Sequence, residues 1–214
     1  MNIKKTANLL LNFAIKRLAE IFGIIIFASG TMLFVALITY SPQDPNFIFP
    51  DNTEIKNSLG FQGSFVSDLF FQSVGLIAYL ISFTFVVTGI NIFRIKEFFL
   101  IIENIFFAIL YCLFGTLFLT HFYANGFSLY INGNGGFIGD YLDQTFLNSL
   151  IQMNENIFYY VLILLVLFLF LVSINFSPIS FYIYLRKKIN LFSKSEDKNY
   201  TDKSEIINEY IPQD

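Results

Sequence analysis

The sequence predicts an all-α membrane protein: four transmembrane helices in two tandem hairpins, both termini cytoplasmic, with a short amphipathic helix in the second outer loop. Three observations carry this. Hydrophobic residues are 55% of the 214-residue chain and charged residues 14%, against roughly 25% charged in a soluble domain. That much Phe, Leu and Ile cannot be hidden inside a water-soluble globule of this length. Four apolar runs, Ile21–Tyr40, Leu69–Phe93, Phe98–Tyr123 and Asn156–Asn175, each reach the about 20 residues a helix needs to cross hydrocarbon. Charge then sorts the connections. Lys4, Lys5, Lys16 and Arg17 precede the first run, Arg94 and Lys96 separate the second from the third, and Arg186, Lys187 and Lys188 follow the fourth. The other two connections hold one base, Lys56. Cytoplasmic loops retain Lys and Arg, which sets the orientation.

Residues 1–19 read as a cytoplasmic basic juxtamembrane helix. The short apolar stretch Leu9–Ile15 is cut by Lys16, Arg17 and Glu20 and runs into a full span, unlike a cleaved signal. Residues 20–188 read as the four-span membrane domain. Its first span ends at Tyr40-Ser41-Pro42, where Pro42 and Pro45 stop the helix and Gln43-Asp44 add turn chemistry. Arg94–Glu97 is a tight inside turn. With no Trp in the chain, Tyr40, Tyr123 and Tyr130 are the expected outer aromatic belt and Tyr182 and Tyr184 the inner one. In the second outer loop Ile138, Leu142, Phe146, Leu150 and Met153 recur near helical spacing, as in a helix lying on an interface. Residues 189–214, rich in Ser, Lys, Asp and Glu, read as a disordered cytoplasmic linker.

The two outer loops share a pattern. Gly60-Phe61-Gln62-Gly63 is echoed by Gly136-Phe137-Ile138-Gly139 at an offset of 76 residues. The same offset carries the first span roughly onto the third and, with slippage, the second onto the fourth. This predicts a tandem duplication of one helix–loop–helix hairpin, with a symmetry axis along the membrane normal. Small residues mark the faces expected to pack: Gly23 and Gly30 with Ala19 in the first span, Gly75, Ser82 and Gly89 in the second, Ala108, Cys112 and Gly115 in the third. The fourth span has no small residue from Ile157 to Val172, so Val166 and Phe170 are expected to face lipid.

Chemistry is sparse. Glu103 is the one clear ionisable group inside a span, close enough to Lys96 for pairing or snorkelling. Asn91 is placed to hydrogen-bond a neighbouring helix. His121, at the outer end of the third span, has no second ligand at metal spacing. The glycine-rich segment Gly133–Gly139 lacks the Gly-Lys-Ser/Thr of a phosphate loop, and no such loop exists elsewhere in the chain. No paired carboxylates and no Ser-His-Asp arrangement stand out. No catalytic, cofactor-binding or metal residue is predicted, and no nucleic-acid-binding stripe. The residues are compatible with a membrane anchoring and interaction module, or with a small transporter or channel subunit, although the latter usually carries polar groups or interrupted helices near the midplane.

Arg17-Leu18-Ala19-Glu20, the boundary sequence Thr39-Tyr40-Ser41-Pro42-Gln43-Asp44-Pro45-Asn46-Phe47, Asn57 to Gly63, Asp68-Leu69, Phe71, Gly75 to Tyr79 and the Gly135–Gly139 loop together resemble the N-terminal four-span membrane domain of the FtsK/SpoIIIE DNA translocases. The resemblance covers about Arg17 to Leu185. Phe47 stands where the family often has Trp, which keeps an aromatic anchor. The resemblance implies a bacterial inner-membrane anchor placed at the division septum, in contact with other divisome membrane proteins and assembled as a homo-oligomer, a hexamer in the family. The family's ATPase motor is not among these residues, so no translocation and no direct nucleic-acid binding are expected of this segment. A linker-like tail at the family's linker position is what a fragment of a longer translocase would show.

The orientation is testable. Cysteine placed at Asn52 or Asn134 in a Cys112→Ser background is expected to react with impermeant thiol reagents in intact spheroplasts, and labelling at Ser193 instead would reverse the topology.

Overall fold

The computed structural model describes residues 3–45, 54–124, 133–179 and 181–188. Phe47, Asn52, Tyr130 and the 189–214 linker lie outside them. The elements are α1 (Ile3–Ile38), α2 (Gly60–Val74), a 3-10 turn (Gly75–Ile77), α3 (Ala78–Ile95), α4 (Leu100–Tyr123), α5 (Gly136–Asp143), α6 (Phe146–Met153) and α7 (Glu155–Ser173). Among the described residues four stretches are long and apolar enough to cross a bilayer: Asn8–Ile38, Gly60–Ile95, Leu100–Tyr123 and Glu155–Ser173. They overlie the four predicted runs, and the fold is an all-helical membrane protein.

Residues 3–38 form one uninterrupted helix. At 1.5 Å per residue α1 is about 54 Å long, well beyond the about 30 Å of hydrocarbon. The second run is not one helix. It breaks at Gly75, whose φ of 58° and ψ of −140° no residue with a Cβ adopts readily. The predicted amphipathic helix is two helices. Thr145, in extended conformation, ends one and caps the next by accepting from Leu147 N at 3.3 Å. This shift of phase turns Leu147 and Ile151 inward against Leu117 and Leu162 and leaves Phe146 and Met153 exposed.

The two hairpins pair α1 with α3 and α4 with α7. Along the first seam the backbones touch. A Cβ on Gly23 would lie 2.7 Å from Phe93 N and one on Gly30 2.7 Å from Val86 N, and a Cβ on Gly89 would strike Phe27 N. Ser82 is fully buried on α3 and donates to the Tyr79 carbonyl at 2.8 Å. Gly115 receives the Ile77 side chain. In lipid there is no hydrophobic drive between helices, so such close van der Waals approach holds them together. Gly75 belongs to a different device: it sits at the break rather than on a continuous packing face.

The main core joins Leu33, Leu37, Phe71, Val74, Ile77, Ala78, Tyr111 and Leu169. Val166 and Phe170 pack against this core, and the Phe170 ring meets those of Phe83 and Tyr111 at 5.9 and 5.8 Å. The expectation that both face lipid is therefore corrected. Leu164, Leu167 and Phe168 are among the exposed residues of α7. Without small residues, the uniform Leu-Phe-Val sequence carried no mark of its inner face.

Polar side chains inside the bundle serve one another. Thr84 meets Tyr111 at 3.0 Å and Ser173 at 3.3 Å, Asn104 donates to Thr88 at 2.8 Å, and Asn91 donates to the Ile174 carbonyl at 3.2 Å. At the Lys96 end, Glu20 binds Arg17 at 2.5 Å and Lys96 at 2.7 Å. Lys96 thus turns to α1 rather than to Glu103, which is exposed. Lys96 itself is left-handed (φ 66°) and closes α3 by donating its N–H to the Ile92 carbonyl. This first compact unit is Met1–Asn175. In the second, Phe176–Asp214, a short helix covers 181–188, the Phe181 N–H bonds the Ser177 carbonyl at 3.1 Å, and the Phe176 and Phe181 rings lie 5.5 Å apart.

Replacing Gly89 with Leu is expected to lower the thermal unfolding midpoint in detergent, by overpacking of roughly 1–3 kcal/mol. Phe168→Leu, on the exposed side of α7, is expected to leave it nearly unchanged. Equal loss in both would contradict the seam.

Candidate functional site

The boundary motif singled out by sequence lies at the end of the bundle where α1 finishes, whereas Gly23, Gly30, Ser82, Gly89 and Gly115 lie along the spans. The boundary segment 41–45 folds back over the start of α2. Asp44 is almost fully buried. Its two carboxylate oxygens accept from the Lys56 N–H at 2.9 Å and the Asn57 N–H at 2.8 Å. Asn57, also buried, donates to the Ala36 carbonyl at 2.9 Å and accepts from Leu59 N at 3.1 Å. It thereby ties α2 to the last turn of α1. Lys56 Nζ meets Gln43 Oε1 at 2.9 Å, and Ser64 donates to the Pro45 carbonyl at 3.0 Å. The Tyr40 hydroxyl donates to Asp68 at 2.9 Å, while its ring packs 4.9 Å from that of Phe71. Tyr40, Ser41, Pro42, Asp44 and Pro45 are therefore the clasp of a closed loop, with prolines ending the helix and one carboxylate collecting the free amides beyond it.

A second contact lies beside it. The Leu76 N–H, freed by the break at Gly75, donates to the Asn134 carbonyl at 3.0 Å. Asn134 is buried and its amide donates to the Tyr123 carbonyl at the end of α4. Gly136 (φ 66°) sits against the backbone of Ser73 and Gly75, and Gly135 and Gly139 lie on Thr116 and Thr120. Side chains at these glycines would strike backbone or the Thr120 hydroxyl. The glycine-rich segment is thus a plug in the helix break. The burial of Asn134 also removes it as a labelling position for topology.

Gly60 and Gly136 each open a helix with nearly equal φ, 67° and 66°. The aromatic residues that follow stack in the same way. Phe61 and Phe65 have centroids 6.4 Å apart and planes at 26°, Phe137 and Tyr141 6.5 Å and 25°. The offset of 76 residues carries one pair onto the other, so the repeat read from sequence is also a repeat of geometry.

His121 Nδ1 lies 2.9 Å from Asp143 Oδ1. Asn148 adds a 3.4 Å contact to the other oxygen of Asp143, and Thr120 donates to Asp140 at 3.4 Å. Burial pushes the Asp140 carboxyl above its usual range. The Thr120 hydrogen bond opposes this, and the neighbouring Asp143 charge adds to it. These pairs latch α5 to α4. No group of three His, Cys, Asp or Glu able to hold a metal occurs among the described residues.

Sequence reasoning missed Asn57, Asn134, Thr116 and Thr120. The first two stand at turns, beside Ser58 and Gly133, where an amide commonly replaces a backbone partner. The threonines repeat at four-residue spacing on α4, on the same helix as the small residues Ala108, Cys112 and Gly115.

Fold and site together define a multi-pass helical membrane module in which most buried polar side chains bond within the bundle, the Oδ1 atoms of Asn104 and Asn134 excepted. The chain belongs to the family described as the 4TM region of DNA translocase FtsK/SpoIIIE, whose model matches residues 15–183. It is similar to the DNA translocase FtsK of Caulobacter vibrioides (strain ATCC 19089 / CIP 103742 / CB 15), with 35% identity over 69 residues. That alignment covers 32% of this chain and 8% of the relative. No solved structure matches.

Asp44→Ala is expected to destabilise the bundle by about 1–3 kcal/mol, because two buried amides lose their acceptor. Tyr40→Phe removes one hydrogen bond and is expected to cost about 1 kcal/mol. Detergent thermal unfolding measures both, and a neutral Asp44→Ala would remove the clasp from the account.

Proposed function

We propose that this chain is the membrane-anchoring and divisome-interaction module of a cell-division DNA translocase, with both termini cytoplasmic, which places a C-terminal ATPase motor at the septum for chromosome segregation. The family match over residues 15–183 carries the reading. The basic residues at 4–17, 94–96 and 186–188 support the orientation. The exposed face of α6, with Phe146, Leu150 and Met153, is proposed as the contact for periplasmic parts of division proteins. Assembly as a homo-oligomer belongs to the same proposal. A transporter or channel gains no support from the buried polar residues, since Thr84, Tyr111, Ser173, Thr88 and Asn104 bond one another across the helices.

The test is a tagged chain in growing cells. Septal fluorescence and crosslinking to division proteins are expected. The triple change Phe146→Ser, Leu150→Ser and Met153→Ser is expected to abolish the crosslinks while membrane insertion persists. Uniform fluorescence around the envelope of the unaltered chain would overturn the reading.

A further inference from the structure

We infer that α2 and α5 are sunk into the outer leaflet, with the stacked pairs Phe61/Phe65 and Phe137/Tyr141 facing acyl chains and headgroups of the lipid bilayer. This needs the membrane-spanning fold and is independent of the translocase reading.

The first observation is depth. α3 has 18 residues and is about 27 Å long, so it needs nearly its whole length, with the turn before it, to cross hydrocarbon. The level of Gly75 is therefore the outer edge of the apolar slab. Tyr79, one turn below Gly75, bonds Leu37 at 3.2 Å, so earlier residues of α1 lie deeper. Yet Asn57 bonds Ala36, and Leu59, Gln62, Gly63 and Val66 share a groove of about 240 Å³ with Ser29, Met32, Leu33 and Ala36. A helix continuing straight from α3 could not reach those residues. α2 leaves the line of α3 at Gly75 and lies beside the last turns of α1, below the edge. α5 lies at a comparable level, because Gly135 and Gly139 rest on Thr116 and Thr120, about 24–30 Å along α4 from Leu100.

The second observation is polarity. A helix floating on water buries apolar residues and shows polar ones. α2 does the reverse. Its inward side holds Gly63, Ser64, Ser67 and Asp68 beside Phe71 and Val74, and its exposed residues are Phe61 and Leu69, each about half exposed, with Gln62 the one polar side chain among them. α5 buries Gly136 and Gly139 and exposes Phe137 and Tyr141. Such a surface is stable where the solvent is lipid, and it continues the bilayer-facing surface of the spans. Aromatic rings are favoured at that level of a membrane. The third observation is repetition. Both hairpins, which diverge elsewhere, retain this aromatic pair in the same geometry.

The chain has no Trp, so one introduced Trp reports alone. Phe61→Trp, Leu69→Trp and Phe137→Trp are placed in the full chain and reconstituted in phosphatidylcholine vesicles with brominated acyl chains. Phe168→Trp serves as the lipid reference and Glu54→Trp, at a charged and exposed position outside the helices, as the water reference. Brominated lipid is expected to remove most of the emission at 61, 69 and 137, as at 168, with little loss to aqueous iodide. Quenching by iodide and not by bromine would overturn the inference by placing these faces in water. Quenching by neither would overturn it by showing that protein covers them. Leu69→Trp keeps the test decisive if Phe61→Trp fails to fold.

Discussion

A backbone amide inside hydrocarbon must find a partner within the protein, because no water is there to serve it. Much of this architecture answers that one constraint at one place, the break between α2 and α3. Gly75 frees the amide of Leu76, and the Asn134 carbonyl takes it. Asn134 can reach it because its own side chain is bonded to the end of α4 and because Gly135, Gly136 and Gly139 let the loop press against backbone on two sides. The bond that heals a helix in the first hairpin is therefore made by the loop of the second. Neither hairpin is complete alone.

The two hairpins share one feature of geometry and differ in the rest. Gly60 and Gly136 keep the same conformation and the same aromatic successors. After them the copies part. In the first, the helix runs on to Val74 before turning into the span. In the second, it stops at Asp143, resumes as α6, and stops again at Asn154, whose side chain caps α7 by accepting from Ile157 N at 3.3 Å. The first copy is clasped by Asp44 through backbone amides; the second is latched by His121 and Asp143 through side chains.

Spans were legible because length and hydropathy suffice to define them, and lipid leaves the chain no alternative to a helix. The close approach of α1 and α3 was legible for a similar reason: Gly23, Gly30 and Gly89 mark where no side chain fits. The break at Gly75 was not, since a glycine within an apolar run looks alike whether it packs a helix or bends one, and only the partner at Asn134, 59 positions away, decides. The inner face of α7 was hidden because Leu, Val and Phe serve core and lipid equally well. The partner of Lys96 was misplaced because proximity in sequence favoured Glu103, while α1 brings Glu20 to 2.7 Å.

The modest attachment of α7 has a mechanical consequence. Its side chains are largely turned outward, and its far end is tied to α3 through Thr84–Ser173 and Asn91–Ile174. Hydrogen bonds between membrane helices are worth about 0.6 kcal/mol on average, so these ties locate the end of the helix without welding it. Tension applied to the chain from residue 176 onward reaches them first, before it reaches the glycine seam between α1 and α3. The end of α7 is thus held by a few polar ties, whereas α1 and α3 are held by backbone contact along their length.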